Sequence, residues 1–166
     1  MWKYLLSLAL FISLADASLL DFNYLSQAKE AYNDKNYSKA QALYNKVEKD
    51  GAKFNVADSL YRQKKYKEAI EAYEAVSDKA LKFKSLHNIG NSYAQMNKID
   101  ESIKAYEEAL KIKKDADTTF NLELLKKKKK EQKKKKDDKN KENKDDKKKN
   151  QDKKKTVNRN QKKKRL

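Results

Sequence analysis

Residues 64–73 read KKYKEAIEAY, and residues 35–44 (KNYSKAQALY) and 97–106 (NKIDESIKAY) share their pattern. In each stretch an aromatic or aliphatic residue stands third, a small residue follows three positions later, and a tyrosine closes the stretch. Self-similarity at a period of about thirty residues is typical of stacked supersecondary units. The sequence therefore predicts an all-α chain built as a solenoid of helix pairs.

The residues that precede each stretch complete the pattern of a helix pair. Small residues where two antiparallel helices cross let the backbones approach, and large residues one turn away fill the grooves beside them. The predicted first helices carry the small residues Ala28, Ala57 and Gly90. The predicted second helices carry Ala40, Ala69 and Ser102, followed by Tyr44, Tyr73 and Tyr106. We expect a larger side chain at Gly90 or Ala69 to overpack the core.

This pattern resembles the tetratricopeptide repeat (TPR), a helix hairpin of 34 residues in the family. The resemblance implies about three repeats, at 21–50, 51–82 and 83–114. Ala69 and Ser102 lie 33 positions apart, but Ala40 and Ala69 lie only 29 apart, which predicts a second helix shortened by one turn in the first repeat. Gly51 stands where a positive-φ helix cap would follow that helix.

A capping helix is predicted at 117–128, because the end of a helical stack exposes an apolar face that needs a cover. Asp117 or Thr118 would be its N-cap. Phe120, Leu124 and Leu125 would form the apolar stripe that faces the stack. The alternative is a linker that happens to contain apolar residues.

Almost all of the net charge of +17 lies in a C-terminal tail. From Lys126 to Leu166 there are 21 Lys and 2 Arg against 7 acidic residues, a net charge of +16. With so few apolar residues, 129–166 is predicted to be a disordered basic tail. It is either a solvating extension or an electrostatic tether to an anionic lipid, a cell-wall polymer or nucleic acid. Nucleic acid is the weakest of these partners, because no aromatic residues alternate with the lysines as stacking platforms.

The N-terminus has the pattern of a secretory signal peptide, predicted at 1–17. Lys3 supplies a positive start, Tyr4 to Leu14 form an apolar run, and Ala15-Asp16-Ala17 is a small-x-small cleavage pattern. The run is short for a membrane span, which needs about twenty residues. A retained anchor is therefore the weaker alternative, and the protein is expected to be exported.

Catalytic and metal-binding constellations are not found in the sequence. The chain has one histidine and no cysteine, and it lacks Gly-rich phosphate loops and nucleophile-elbow motifs. Neighbouring carboxylates such as Asp100 and Glu101 diverge around a helix, which favours solvated faces over acid/base pairs. We therefore expect a non-catalytic protein without a cofactor or a metal.

In TPR proteins the concave groove is lined by one face of each first helix, and the resemblance assigns this face to specific residues here. Aromatic, amide and charged groups on such a face suit the binding of a protein segment. The predicted protein-binding groove consists of Tyr32, Phe54, Asn55, Asp58, Tyr61, Arg62, Lys84, His87, Asn88 and Asn91. The alternative for Phe54 and Tyr61 is that they pack between neighbouring helices.

Two subfamilies can be compared at the residue level. The TPR domains that clamp a chaperone carboxylate use five positions, of which Asn55 and Lys84 carry the expected types here, while Leu25, Lys29 and Asn88 do not. The signal, the repeats, the segment 120–125 (FNLELL) and the charged tail together resemble the small TPR proteins of bacterial aerotolerance (Bat-type) operons. That resemblance implies a periplasmic adaptor that assembles with von Willebrand factor A-type membrane proteins in envelope assembly or stress tolerance.

Overall fold

The structure, a computed structural model, describes the backbone of residues 2–136 and the side chains of residues 18–136. The chain divides into two compact units, Met1–Glu123 and Leu124–Leu166. The first unit contains three helix pairs and the start of a further helix. The predicted tail beyond residue 136 lies outside the described residues.

Each predicted repeat is a pair of helices. The pairs are α1 (Trp2–Asn33) with α2 (Tyr37–Tyr44), α3 (Asp50–Arg62) with α4 (Tyr66–Glu74), and α5 (Lys79–Gln95) with α6 (Ile99–Ile112). Each of these six helices packs on its neighbours in the chain, and the first helices α3 and α5 also contact each other. This is the order of contacts that a TPR solenoid requires.

The core is built from the positions that the repeat pattern singled out. Ala28, Ala57, Ala40 and Ala69 at the helix crossings are completely buried. The tyrosines that close the repeated stretches, Tyr44, Tyr73 and Tyr106, are 6%, 1% and 2% exposed. The prediction of the core is therefore confirmed in all three repeats.

The helix crossing in the third repeat is formed by a glycine and a serine instead of two alanines. Gly90 is where α5 approaches Tyr106 of α6, and a Cβ added there would lie 2.5 Å from the tyrosine Cε1. Ser102, which replaces the alanine of the other repeats, donates its hydroxyl to the Gly90 carbonyl oxygen at 2.6 Å. The missing side chain at Gly90 thus makes room for a ring, and the buried serine finds its hydrogen-bond partner on the same residue.

The first helix of each repeat ends in a left-handed residue that is not glycine. Lys35, Lys64 and Asn97 have φ of 62°, 62° and 56°. After α3, the amide of Lys64 donates to the Tyr61 oxygen at 2.9 Å and that of Lys65 to the Leu60 oxygen at 3.0 Å. These are the two bonds of a Schellman cap, which most often uses glycine. The predicted cap at Gly51 was wrong, because Gly51 is the second residue of α3 and no glycine in the described part has positive φ.

Replacing Lys64 with glycine is expected to raise the free energy of unfolding by about 0.5–1 kcal/mol, because glycine adopts this conformation without the Cβ strain. The matched control is Lys65→Gly. Lys65 is also exposed, but its φ is −83°, so glycine there only loosens the unfolded chain and lowers stability. Urea unfolding measures both. A loss of stability in both variants would contradict the strain at Lys64.

The difference between the 29-residue and 33-residue spacings lies in the first helices α3 and α5. α2 and α4 have 8 and 9 residues, whereas α3 and α5 have 13 and 17. The prediction that α2 had lost a turn was therefore wrong, because it is α3 that begins one turn late. Asp50, in the first turn of α3, accepts a bond from the Ser77 amide at 3.0 Å and a salt bridge from Lys53 at 3.1 Å. These bonds lower the Asp50 pKa, the lysine contact most, and tie the shortened helix to the start of the next repeat.

The C-terminal helix, α7 (116–136), is longer than predicted. Its N-cap is Asp115 rather than Asp117 or Thr118, because the Thr118 amide donates to the Asp115 carboxylate at 2.9 Å. Thr118, Leu122 and Leu125 are buried, whereas Phe120 and Leu124 are 68% and 56% exposed, so the predicted apolar stripe was right for Leu125 and wrong for Phe120 and Leu124. Residues 129–136 are helical, which corrects the predicted start of the disordered tail, since lysine, glutamine and glutamate are good helix formers.

Residues 2–17 of the predicted signal segment form the beginning of α1, and the cleavage of the segment stays a prediction. Leu19, Leu20 and Phe22, which follow it, are all more than half exposed. Within the part of the chain that the structure describes, no helix combines the length and apolar character needed to cross a membrane.

Candidate protein-binding groove

The predicted groove residues lie on the first helices, and most of them are half-buried. They come from the end of α1 (Tyr32), from α3 (Phe54, Asn55, Asp58, Tyr61 and Arg62) and from α5 (Lys84, His87, Asn88 and Asn91). Arg62 and Lys84 are the two that are exposed. The structure joins eight of these ten residues into three local clusters, which are described in turn, and it places Asn55 and Tyr61 in none of them.

The first cluster is a hydrogen-bonded chain centred on Asp58. Tyr73 Oη donates to Asp58 Oδ1, and Asn88 Nδ2 donates to the same oxygen at 3.1 Å. Asn91 Nδ2 lies 3.4 Å from Asn88 Oδ1, and Tyr106 Oη donates to Asn91 Oδ1 at 2.6 Å. The chain therefore links α3, α4, α5 and α6, and it ties the predicted groove side chains to the two buried tyrosines.

Burial affects the protonation of the titratable groups in this hydrogen-bonded chain. Desolvation raises the pKa of Asp58, while the bonds from Tyr73 and Asn88 and the charges of Arg62 and Lys84 oppose the rise. Desolvation and the neighbouring Asp58 raise the pKa of Tyr73, and desolvation raises that of Tyr106 to about 12. Both tyrosines are therefore neutral donors at physiological pH, which suits a carboxylate and an amide oxygen as acceptors.

The second cluster joins the first two repeats. Arg62 Nε donates to Tyr32 Oη at 3.2 Å, and this bond is the main reason why the pKa of Arg62 is raised. The Tyr32 ring meets Tyr37 edge-on, with 5.2 Å between centroids. The guanidinium is thus positioned by an aromatic residue but stays exposed to solvent.

The aromatic residues of α3 pack within their own repeat. Phe54 meets Tyr73 at 5.4 Å, and Tyr61 meets Tyr66 at 5.4 Å, both edge-on. Tyr61 therefore serves packing between α3 and α4, as the alternative in the sequence analysis held. Phe54 has both roles, since it also lines a cavity.

The third cluster surrounds this cavity of about 260 Å³. Its walls come from α3, α5 and the start of α7, and they consist of Phe54, Phe83, Lys84, His87, Asn88, Asp115 and Asp117. The His87 ring lies 6.4 Å from Phe83 and 5.7 Å from Tyr106, between centroids. Four of the seven residues belong to the predicted groove.

His87 is held in one tautomer by its neighbours. Its Nδ1 lies 2.7 Å from Thr118 Oγ1, and that hydroxyl donates to Asp115 Oδ1 at 2.7 Å. Bonds from Thr118 lower the pKa of Asp115, so this carboxylate is ionised and only accepts. Because the hydroxyl has a single proton, His87 Nδ1 must be the donor to Thr118. Desolvation lowers the pKa of His87, so the ring is neutral and Nε2 is its acceptor.

The cavity residues that sequence reasoning missed are Phe83, Asp115 and Asp117, together with Thr118 behind the wall. Phe83 stands four positions before His87 in α5, a spacing that places two side chains on one helix face. That signal was available in the sequence. Asp115 and Thr118 could not be placed, because their position depends on where α7 begins. In residues 18–136, no three His, Cys, Asp or Glu side chains are grouped as a metal site would require.

Comparison with known proteins gives a consistent result. Residues 51–115 match the family model described as tetratricopeptide repeat. The STIP1 homolog of Dictyostelium discoideum is 35% identical over 111 residues, which cover 59% of this chain and 20% of that protein. The chain thus spans about a fifth of the length of this curated relative.

Solved structures of TPR domains resemble this chain in fold. They include the TPR2AB domain of yeast Sti1 in its pHSP90 complex (TM-score 0.65, 20% identity, covering 70% of this chain and 50% of that one). The Sgt2 TPR domain of Aspergillus fumigatus has a TM-score of 0.61 at 20% identity, with coverage of 69% and 82%. The first TPR of Spaghetti (RPAP3), bound to the HSP90 peptide SRMEEVD, has a TM-score of 0.60 at 20% identity, with coverage of 66% and 93%.

Sequence identities of 20% to these solved structures show a similar fold and nothing about function. The helix pairs, the core positions and the match over residues 51–115 agree, and the chain has the fold of a tetratricopeptide-repeat domain.

Proposed function

We propose that this protein is a non-catalytic adaptor whose concave groove binds a segment of a protein partner. The observation that carries the proposal is the Asp58 chain, because it fixes the polar side chains of two repeats in place with partly buried hydrogen bonds. Preorganised polar groups beside half-buried aromatic and exposed charged groups reduce the entropy lost when a segment is bound. The peptide-bound TPR structures of similar fold support the same use of the groove.

The chaperone carboxylate is not the ligand that we propose. Of the five clamp positions, only Asn55 and Lys84 carry the required residue types. At a third clamp position, Asn88 Nδ2 donates to Asp58 Oδ1 and to Tyr73 Oη, at 3.1 Å each. A peptide such as SRMEEVD is therefore expected to bind this groove weakly.

We further propose that the protein is exported and acts on the periplasmic side of a membrane, with a von Willebrand factor A-type membrane protein as its partner. The support is the signal-like segment 1–17, the basic tail, and the resemblance of 120–125 to the Bat-type proteins. N-terminal sequencing of protein from a periplasmic fraction is expected to begin at Ser18. Full-length protein in the cytosolic fraction would contradict export.

The groove is tested by a pull-down from detergent-solubilised membranes, with bound proteins identified by mass spectrometry. We expect Arg62→Ala to reduce recovery of the partner at least tenfold, since this side chain is exposed on the first helix α3 and is positioned by Tyr32. The matched control is Lys67→Ala, which removes the same charge from an exposed position on the second helix α4. Equal recovery with both variants would contradict the groove.

The second candidate function is an electrostatic tether, favoured by the net charge of +16 from residue 126 onward. Binding through the tail must fall steeply with salt, because it releases counterions. Repeating the pull-down with a chain that ends at Lys128 separates the two functions. Capture that survives both truncation and high salt supports the groove, and capture that is lost under both supports the tether.

A further inference from the structure

The cavity at the third repeat has a chemical character that is more specific than a general protein-binding surface. Two phenylalanines, Phe54 and Phe83, provide apolar walls, and two carboxylates, Asp115 and Asp117, lie at the start of α7. Lys84 is the single ammonium group among the lining residues and is exposed. With His87 neutral, these side chains leave a net charge of −1.

The hydrogen-bonding groups of the cavity favour a donor. His87 Nδ1 is occupied by Thr118, which leaves the ring acceptor Nε2 for an occupant. The Asn88 side-chain amide already donates hydrogen bonds to Asp58 and Tyr73. The carboxylates of Asp115 and Asp117 accept and do not donate. An incoming side chain with N–H groups is therefore complementary to most of these groups, whereas one that only accepts has the exposed ammonium of Lys84 as its available donor among the charged lining residues.

An internal cation already uses the aromatic wall. Lys113 Nζ lies 5.4 Å from the centroid of Phe83, within the range of a cation–π contact. A cation is thus stabilised at the edge of this cavity by the chain itself. The rings of Phe83 and Phe54 provide the apolar contact that the methylene groups of a lysine or arginine need.

We propose that this cavity is a specificity subsite that takes a lysine or arginine side chain of the bound protein segment. The aliphatic part of that side chain contacts Phe54 and Phe83, and its charged end is bound by Asp117 and the acceptor nitrogen of His87. The inference rests on the proposed function, since it names the anchor residue of the segment that the groove binds. This subsite prefers a cationic side chain, whereas a carboxylate clamp prefers an anionic group.

The test uses the full chain and an array of heptapeptides with varied flanking residues, whose central residue is lysine, arginine, norleucine or glutamate. Norleucine is the matched probe, because it has a hydrocarbon chain like that of lysine but no charge. Binding is measured at about 0.5 M salt, where the Debye length is only a few ångströms, so that the basic tail contributes little. We expect the lysine and arginine peptides to bind about tenfold tighter than the norleucine peptides.

Three variants connect this preference to the cavity. Asp117→Asn is expected to reduce the lysine-to-norleucine ratio at least threefold, and Glu123→Gln, which removes an exposed carboxylate from the same helix, is expected to leave it unchanged. Lys113→Ala removes the internal cation and is expected to raise affinity for the lysine peptides about threefold. Thermal unfolding of each variant checks that the fold is intact.

The outcomes separate the subsite from the groove. If peptides bind with equal affinity whether the central residue is lysine or norleucine, or bind best with glutamate, the subsite is refuted and the groove stands. The subsite is also refuted if the preference for lysine is the same in Asp117→Asn as in the unmodified chain. If none of the peptides binds, both the groove function and the subsite are overturned.

Discussion

Replacing Gly90 with alanine is expected to lower the free energy of unfolding by about 3 kcal/mol, at the upper end of what overpacking costs. The new methyl group would stand 2.5 Å and 2.6 Å from Cε1 and Cδ1 of Tyr106. That ring cannot move aside easily, because it is 2% exposed and its hydroxyl is bonded to Asn91. α5 and α6 must therefore separate. Urea unfolding followed by circular dichroism measures the loss.

The other glycine of the chain is the matched control. A Cβ at Gly51 would meet nothing within 4 Å, and the residue is exposed inside the first turn of α3. Gly51→Ala is therefore expected to raise stability by up to about 1 kcal/mol through helix propensity. Tyr106→Leu in the Gly90→Ala background should recover part of the loss, since it removes the ring that clashes. If Gly90→Ala is as stable as the unmodified chain, the close approach of the two helices is refuted.

The core could be predicted from the sequence because each of its positions is repeated. A small residue at a helix crossing is weak evidence once, but Ala28, Ala57 and Gly90 stand at equivalent positions and are explained by the same packing geometry. The tyrosines at 44, 73 and 106 follow the same logic, and all three are buried. Repetition supplied the information that an alignment of relatives would otherwise provide.

Features that occur once could not be predicted in the same way. The 29-residue spacing fixes how many residues are missing but not where, and the structure places the loss at the start of α3. The apolar face of α7 depends on the residue at which the helix begins. With Asp115 as N-cap, the buried positions are Thr118, Leu122 and the predicted Leu125, but not Phe120 and Leu124. A threonine in the contact face carries no hydrophobic signal.

The groove prediction placed residues on the correct helices but could not describe their interactions. The repeat pattern assigns a side chain to a helix face. It does not say which neighbouring side chains form hydrogen bonds or interact electrostatically. Asp58 was predicted only as a groove side chain, yet its pKa is raised by burial and it accepts two bonds from other helices. Networks of this kind need three-dimensional contacts between repeats.

Replacing Tyr73 with phenylalanine is expected to cost about 2 kcal/mol at pH 7, because it removes a hydrogen bond to the desolvated charge of Asp58. Tyr106→Phe is the matched variant at the equivalent position of the next repeat, where the hydroxyl donates to the neutral amide oxygen of Asn91 at 2.6 Å. Its expected cost is about 1 kcal/mol. Both changes keep the ring and its packing, so the difference between the two costs measures the charge.

The pH dependence of this difference gives a second, independent readout. The pKa of Asp58 is raised in the folded state, so the carboxyl becomes protonated in the fold at a pH above its ordinary value of 3.8. As pH falls through that raised pKa, the lost bond is no longer a bond to a charge, and the cost of Tyr73→Phe should fall towards that of Tyr106→Phe. The cost of Tyr106→Phe itself should stay constant over the same range. Urea unfolding of both variants between pH 7 and pH 4 tests this, and a cost for Tyr73→Phe that does not change with pH would mean that Asp58 is not the charged acceptor of the buried chain.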